Sequence, residues 1–150
     1  MMPRAALAML GMLLSWPLAG SAASLSVSVE DIDGSKGHVL VAVCARDAFL
    51  SADCTLTGKA PATPGAVTVL VRDIVPGVYA VQAFHDENDN MDIDRSLLGF
   101  PREGMGFSND APMTYGPPRF VDAAITIGAE DAATRLKMRY FDPERSASAR

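Results

Sequence analysis

Apolar residues in this chain recur at every second position, and no stretch of any length carries a helical stripe. Leu25-Ser26-Val27-Ser28-Val29 alternates cleanly, and Ala66 to Ile74 (AVTVLVRDI) does the same. Side chains on a strand point to opposite faces with a period of two, so such runs bury one face and wet the other. Gly37 to Cys44 (GHVLVAVC) is almost wholly apolar, which suits a central strand or a strand of a sandwich core. Val78 to Phe84, Phe120 to Ile127 and Thr134 to Phe141 complete the set. Six or seven strands in about 120 residues predict an all-β fold, a single antiparallel β-sandwich with one long Gly/Pro-rich loop. Its core is expected at Val39, Val41, Val43, Val69, Val71, Tyr79, Val81, Ala83, Ile125 and Ile127.

The connections are read from turn chemistry. Asp31 to Gly37 is rich in Asp and Gly, so the first two strands are expected to form a hairpin. Asp47 to Leu50 suits a short helical turn, and Thr55 to Gly65, with Pro61 and Pro64, reads as loop. Pro76-Gly77 fits the centre of a type II turn. Residues 86–119 are long and irregular, and a loop of that length in a small domain is usually functional or pinned by packing. Phe100, Phe107, Tyr115 and Phe120 are the aromatic side chains expected to pin it.

The N-terminus reads as an address. Met1 to Arg4 is short and basic, Ala5 to Leu18 is apolar apart from Ser15, and Ala19-Gly20-Ser21-Ala22-Ala23 supplies small residues for cleavage after Ala23. The run falls short of the roughly 18 apolar residues a membrane span needs. The expected organisation is a signal peptide at 1–23, a β-sandwich domain at 24–142 and a frayed tail at 143–150, with the mature chain periplasmic or secreted. Of 150 residues, removing 23 leaves 127, one domain's worth. Removing Arg4 from 13 basic residues leaves 12 against 18 acidic ones, a net charge of -6. That excess argues against nucleic acid, whose phosphates demand a positive surface. It also disfavours an anionic membrane, and no stable membrane insertion is expected. Cys44 and Cys54, a C-x9-C pair in an oxidising compartment, are expected to form a disulfide rather than a redox site.

One segment carries sharper chemistry. After the strand ending at Phe84 comes His85-Asp86-Glu87-Asn88-Asp89-Asn90-Met91-Asp92-Ile93-Asp94, with oxygen-bearing side chains at Asp86, Asn88, Asn90, Asp92 and Asp94. Calcium takes six to eight oxygen ligands, often from alternate loop positions, so Ca2+ is the expected ligand of these five residues. The competing reading is a solvated turn built from the usual turn formers. Position twelve of such a loop is Leu97 in place of glutamate, so this is not an EF-hand.

Several motifs together carry a resemblance. They are Pro76-Gly77-x-Tyr79-Ala80-Val81 and His85-Asp86-Glu87-Asn88-x-Asn90, then Leu98-Gly99-x-Pro101-x-Glu103-Gly104-x-Gly106-Phe107-Ser108-Asn109 and Gly116-Pro117-Pro118-x-Phe120-x-Asp122-Ala123. On these the chain resembles the small exported bacterial proteins of domain-of-unknown-function family 2141. The resemblance implies a one-domain, extracytoplasmic sandwich of transthyretin or prealbumin-like form, and it supplies no activity. The family loop tends to read D-x-N-G-N-G-x-x-D, whereas Asp89 and Met91 stand here in place of the two glycines. If Met91 must be left-handed, the substitution costs on the order of 1–2 kcal/mol.

Acid–base chemistry has few candidates. His38 reads as a strand or turn residue. His85 beside Asp86 suggests a His-Asp pair, with Ser108 the tempting nucleophile, yet no G-x-S-x-G elbow surrounds it. Zinc lacks soft ligands once the cysteines are bridged. Glu103 and Asp110 read as exposed loop carboxylates, with a turn back toward Asp86 as the alternative. The expectation is a non-catalytic exported module, possessing a calcium loop that stiffens a surface for an unknown protein or small ligand. The alternative is a small extracytoplasmic hydrolase using His85 and neighbouring carboxylates.

Overall fold

A computed structural model describes residues 22–141. The leader assigned to 1–23 lies mostly outside that range, as does the tail at 143–150. Eight strands are present among the described residues: β1 (Ala23–Ile32), β2 (His38–Cys44), β3 (Leu56–Pro61), β4 (Gly65–Ile74), β5 (Gly77–Asp86), β6 (Met105–Phe107), β7 (Ala124–Ile127) and β8 (Ala132–Lys137). One sheet runs β4-β1-β8. The other runs β3-β2-β5, and the far edge of β5 is shared by β6 along Gln82–Phe84 and β7 along Gly77–Ala80.

The two sheets face one another across one apolar cluster. Leu25, Val27 and Val29 of β1, Val69 and Val71 of β4 and Leu136 of β8 meet Val39, Val41, Val43, Val81 and Ala83 from the other sheet. Each is an alternate position on its strand, and burying such a side chain stabilises the fold by about 1.5–3 kcal/mol. Nine of the ten expected core positions are buried; the tenth, Ile125, is half-buried against the same cluster. A smaller cluster of Ala80, Phe107, Ala111, Phe120 and Ala123 covers the opposite face of β5. Phe49 packs edge-on to Phe107 and Phe120, at 5.9 and 5.8 Å between centroids. Cys44 and Cys54 form a disulfide with 5.2 Å between their Cα atoms.

The path of the chain corrects several expectations. β1 and β2 do not form a hairpin: β1 pairs with β4 and β8, and β2 with β3 and β5, so Asp31–Gly37 carries the chain between sheets. Nor is the fold wholly antiparallel, because β8 runs parallel to β1. It enters beside the start of β1, where the Asp131 carboxylate accepts the Ser24 N–H at 2.7 Å. Leu56–Pro61, read as loop, is the strand β3, since pairing along β2 outweighs its weak intrinsic preference. Its Gly58 has a physical reason, because a Cβ there would lie 2.5 Å from the Leu70 carbonyl oxygen of β4.

Two local readings also change. Phe120–Ala123 is a single helical turn rather than strand. The Asp122 N–H bonds to the Arg119 carbonyl at 3.0 Å, and the Arg119 guanidinium clasps both Asp122 oxygens at 2.9 Å. That clasp raises the Arg119 pKa and lowers the Asp122 pKa. Gly77 opens β5 without a positive φ, so Pro76-Gly77 is not a type II turn. There the Tyr79 hydroxyl donates back to the Val75 carbonyl at 2.9 Å and fixes the corner.

Candidate functional site

Asp86 ends β5, fully buried, and its carboxylate organises the backbone of the next five residues. One oxygen accepts the Asn90 N–H at 3.1 Å and the other the Met91 N–H at 2.9 Å. The Asn88 side-chain oxygen also accepts the Asn90 N–H, at 3.2 Å, and the Asn90 oxygen accepts the Asp92 N–H at 2.9 Å. These nested bonds wind the backbone into a tight coil. Asp89 at φ 58 and Met91 at φ 63 take the left-handed conformation, at the two positions where the resemblance leads one to expect glycine. Aspartate tolerates that region moderately well and methionine poorly. The turn Asp31–Gly37 backs the coil so closely that a Cβ on Gly37 would lie 1.9 Å from the Asp86 carbonyl oxygen. His38 Nδ1 meets Asp89 Oδ1 at 2.5 Å from the same side.

All five expected ligands lie on this coil, and hydrogen bonds join Asp86, Asn88, Asn90 and Asp94 within it. The Asn88 and Asn90 side-chain amides donate to the two Asp94 oxygens at 2.7 and 3.1 Å, while Asp86 closes the other end. Asp92 instead turns its carboxylate onto the neighbouring Ile93 N–H at 2.8 Å. Among the described residues, no group of three or more His, Cys, Asp and Glu side chains is placed as a ready metal cage. The oxygen donors of the coil are a mixture of carboxylates and amides. Each carboxylate oxygen that accepts one N–H retains further lone-pair capacity.

Glu103 is the residue that the sequence misplaced. It is buried rather than exposed, and it does turn back toward the coil. Its two oxygens accept the N–H groups of Glu87 at 2.9 Å and Asp94 at 3.2 Å. Burial raises its pKa, with the charges of Asp94 and Asp86 adding to the rise and the two amide bonds opposing it. Asp110 acts elsewhere, accepting the Lys137 N–H at 2.8 Å beyond the end of β6. The only sequence sign of Glu103's role is its place in the Glu103-Gly104 motif of the resemblance.

Beyond Glu103 the loop narrows to a neck and a tip. The Arg102 N–H bonds to the Asp94 carbonyl at 2.8 Å, and Arg95 bridges to Pro101. The Ser96 N–H then bonds to the Phe100 carbonyl at 2.8 Å, and the Gly99 N–H to the Ser96 carbonyl at 2.9 Å. This small closed turn holds Leu97, Leu98 and Phe100 in solvent, at 105 %, 84 % and 59 % exposure. Phe100 and Tyr115 therefore do not pin the loop; Phe107 and Phe120 do.

His85 and Ser108 are both fully buried and serve the backbone. His85 Nε2 donates to the Lys36 carbonyl at 2.8 Å, and Nδ1 is hydrogen-bonded to the Tyr140 hydroxyl at 2.9 Å. The Tyr140 oxygen in turn accepts the Asp33 N–H at 2.9 Å. Ser108 sits where β7 stops and β6 begins along β5. Its hydroxyl oxygen accepts the Val81 N–H at 2.9 Å and bonds to the Ala123 carbonyl. Val81 and His85 lie four residues apart on β5, about 13 Å of strand. The suggested nucleophile and base are not brought together.

No curated protein and no solved structure matches this chain. A family model described as an uncharacterised protein conserved in bacteria, DUF2141, matches residues 27–135, a span that takes in most of β1, all of β2 to β7, the Asp86 coil, the Glu103 neck and most of β8. With the Asp86–Asn90 and Leu98–Asn109 motifs accounted for by that coil and neck, the chain belongs to the DUF2141 family.

Proposed function

We propose that this chain is an exported, non-catalytic β-sandwich module of transthyretin-like form, in which the Asp86 coil takes one calcium ion and stiffens the long loop that carries the tip. The observation behind the cation is the backbone of the coil. Loops that wrap calcium supply oxygens from positions one, three, five, seven and nine, and turn sharply at a glycine in position six. Asp86, Asn88, Asn90, Asp92 and Asp94 occupy the first five of those places, and Met91 at position six is left-handed, although it is not glycine. The donor set of carboxylates and amide oxygens suits a hard cation, and a divalent charge offsets the repulsion among the clustered aspartates. Asp94 would supply the carboxylate nearest the two asparagine amides, and Asp92 its backbone carbonyl. Export is supported by the leader-like N-terminus and by the Cys44–Cys54 bridge.

Without the glutamate of position twelve, the affinity belongs to the weak range of extracellular modules, about 0.1–1 mM. Thermal unfolding in excess calcium and in chelator tests the proposal. At 100 times the dissociation constant, binding stabilises by about 2.7 kcal/mol, a resolvable rise in melting temperature. Identical melting curves for the wild type in the two buffers leave the coil as a self-capped turn and overturn the cation reading.

A further inference from the structure

The tip of the long loop presents chemistry unlike the rest of the surface. Leu97, Leu98 and Phe100 project into solvent from a turn closed by three hydrogen bonds among Ser96, Gly99 and Phe100. Their exposure is set by that closed turn and by the neck behind it. Arg95 and Arg102, both exposed, stand on the two arms of the neck, and no acidic residue lies between them. The chain as a whole carries a net charge of -5, but this segment carries two positive charges. Exposed charges more than about 8 Å away are largely screened at physiological salt, and the Arg95 guanidinium reaches up the tip, where it donates to the Gly99 carbonyl at 3.3 Å. The two carboxylates that flank the segment are engaged at the base of the neck. Asp94 is turned back onto the amides of Asn88 and Asn90, and Glu103 is buried on the N–H groups of Glu87 and Asp94.

Three apolar side chains on a narrow projection make too small a patch for a stable protein interface, which needs roughly 1,000 Å². A bilayer boundary demands no complementary shape. It accepts a few apolar groups at shallow depth, and anionic headgroups complement a basic rim. From this arrangement we infer that the 95–102 tip docks reversibly on an anionic lipid surface. Leu97, Leu98 and Phe100 enter the headgroup–acyl boundary, and Arg95 and Arg102 pair with the lipid phosphates. Such docking is peripheral and leaves the sandwich outside the bilayer.

Partition of the full chain onto vesicles tests this, using phosphatidylglycerol with phosphatidylethanolamine in one set and phosphatidylcholine alone in the other. Chelator is present throughout, so the outcome is independent of the cation proposed for the Asp86 coil. The wild type is expected to partition onto the phosphatidylglycerol vesicles and release at high salt. The triple variant L97S/L98S/F100S should lose about tenfold or more in partition. Arg95→Gln and Arg102→Gln should each lose about fivefold. Because the replaced side chains are exposed, the melting temperature of the triple variant should match the wild type, which separates lost docking from lost folding. No partition by the wild type, or equal partition by the triple variant, overturns the inference. So does retention by a protein partner through the tip with no affinity for vesicles.

Discussion

Glu103 accepts the backbone N–H of Asp94 across the neck of the long loop at 3.2 Å, while its second oxygen holds the N–H of Glu87 at 2.9 Å. One side chain thus ties together the end of the β5 strand, the end of the Asp86 coil and the return toward β6. A hydrogen bond to a charged acceptor contributes about 1.5–3 kcal/mol, and a buried donor left without one carries the desolvation cost. Glu103→Ala is therefore expected to destabilise the protein by about 2–4 kcal/mol in urea unfolding. Loss of under about 0.5 kcal/mol would mean that solvent replaces the carboxylate without penalty.

The same residue gives the protein a pH dependence of known sign. Burial raises the Glu103 pKa above its ordinary 4.5, so the folded state holds this proton more tightly than the unfolded chain. The favourable contribution is complete below 4.5 and declines as pH rises through the raised folded value. Glu103→Gln cannot titrate. The stability of the wild type minus that of Glu103→Gln should fall from acid toward neutral pH, measured by urea unfolding at a series of pH values. A difference that stays flat or climbs would contradict the burial-driven shift.

Ser108 offers a test of how a gap in a sheet is filled. Val81 lies between the last residue of β5 paired with β7 and the first paired with β6, and the serine hydroxyl oxygen accepts its N–H at 2.9 Å. Ser108→Ala leaves that buried N–H without its acceptor and should cost about 1–3 kcal/mol. Ser108→Thr keeps the hydroxyl but must fit a methyl group at a fully buried position, so it should recover only part of the loss. An unchanged unfolding midpoint in Ser108→Ala would show that the gap is closed by other means.

The disulfide joins the end of β2 to the segment before β3, and its removal has a predictable size. Closing a loop this short contributes roughly 2–3 kcal/mol by restricting the unfolded chain. The double variant C44S/C54S should lose about that much, and reduction of the wild type should do the same. A protein equally stable with and without reductant would show that the bridge adds nothing to the core beside it.

The period-two pattern made the core legible, because burial of one strand face is written locally in the order of residues such as Val39, Val41 and Val43. Sheet membership is not local. Asp31–Gly37 has hairpin chemistry, yet the strands on either side join different sheets, a choice made by the partners β4 and β5 far along the chain. The coil residues were visible through their alternate oxygens, whereas Glu103 was not. Its burial comes from the loop returning on itself, and a lone carboxylate near glycine reads the same whether exposed or enclosed. Phe100 and Phe107 look alike in the sequence, but only Phe107 lies on a strand facing the smaller cluster.

Met91 links the backbone of the coil to its proposed cation. At φ 63 a methionine bears a steric cost of about 1–2 kcal/mol that glycine escapes, although glycine also loses more freedom on folding. Met91→Gly should therefore stabilise the coil by up to about 1 kcal/mol without calcium, and its 64 % exposure means that little packing is lost. If the coil takes calcium, the left-handed Met91 is present with and without the ion, so Met91→Gly should raise both melts equally and leave the calcium-dependent increment nearly unchanged. Asp94→Ala is the opposing variant: it removes the carboxylate on which both asparagine amides converge and should abolish the calcium-dependent rise in melting temperature. Paired melts of the wild type, Met91→Gly and Asp94→Ala in calcium and in chelator decide the matter. A rise from Met91→Gly in both buffers with no calcium effect in any of the three would leave the strain argument standing and remove the cation from the coil.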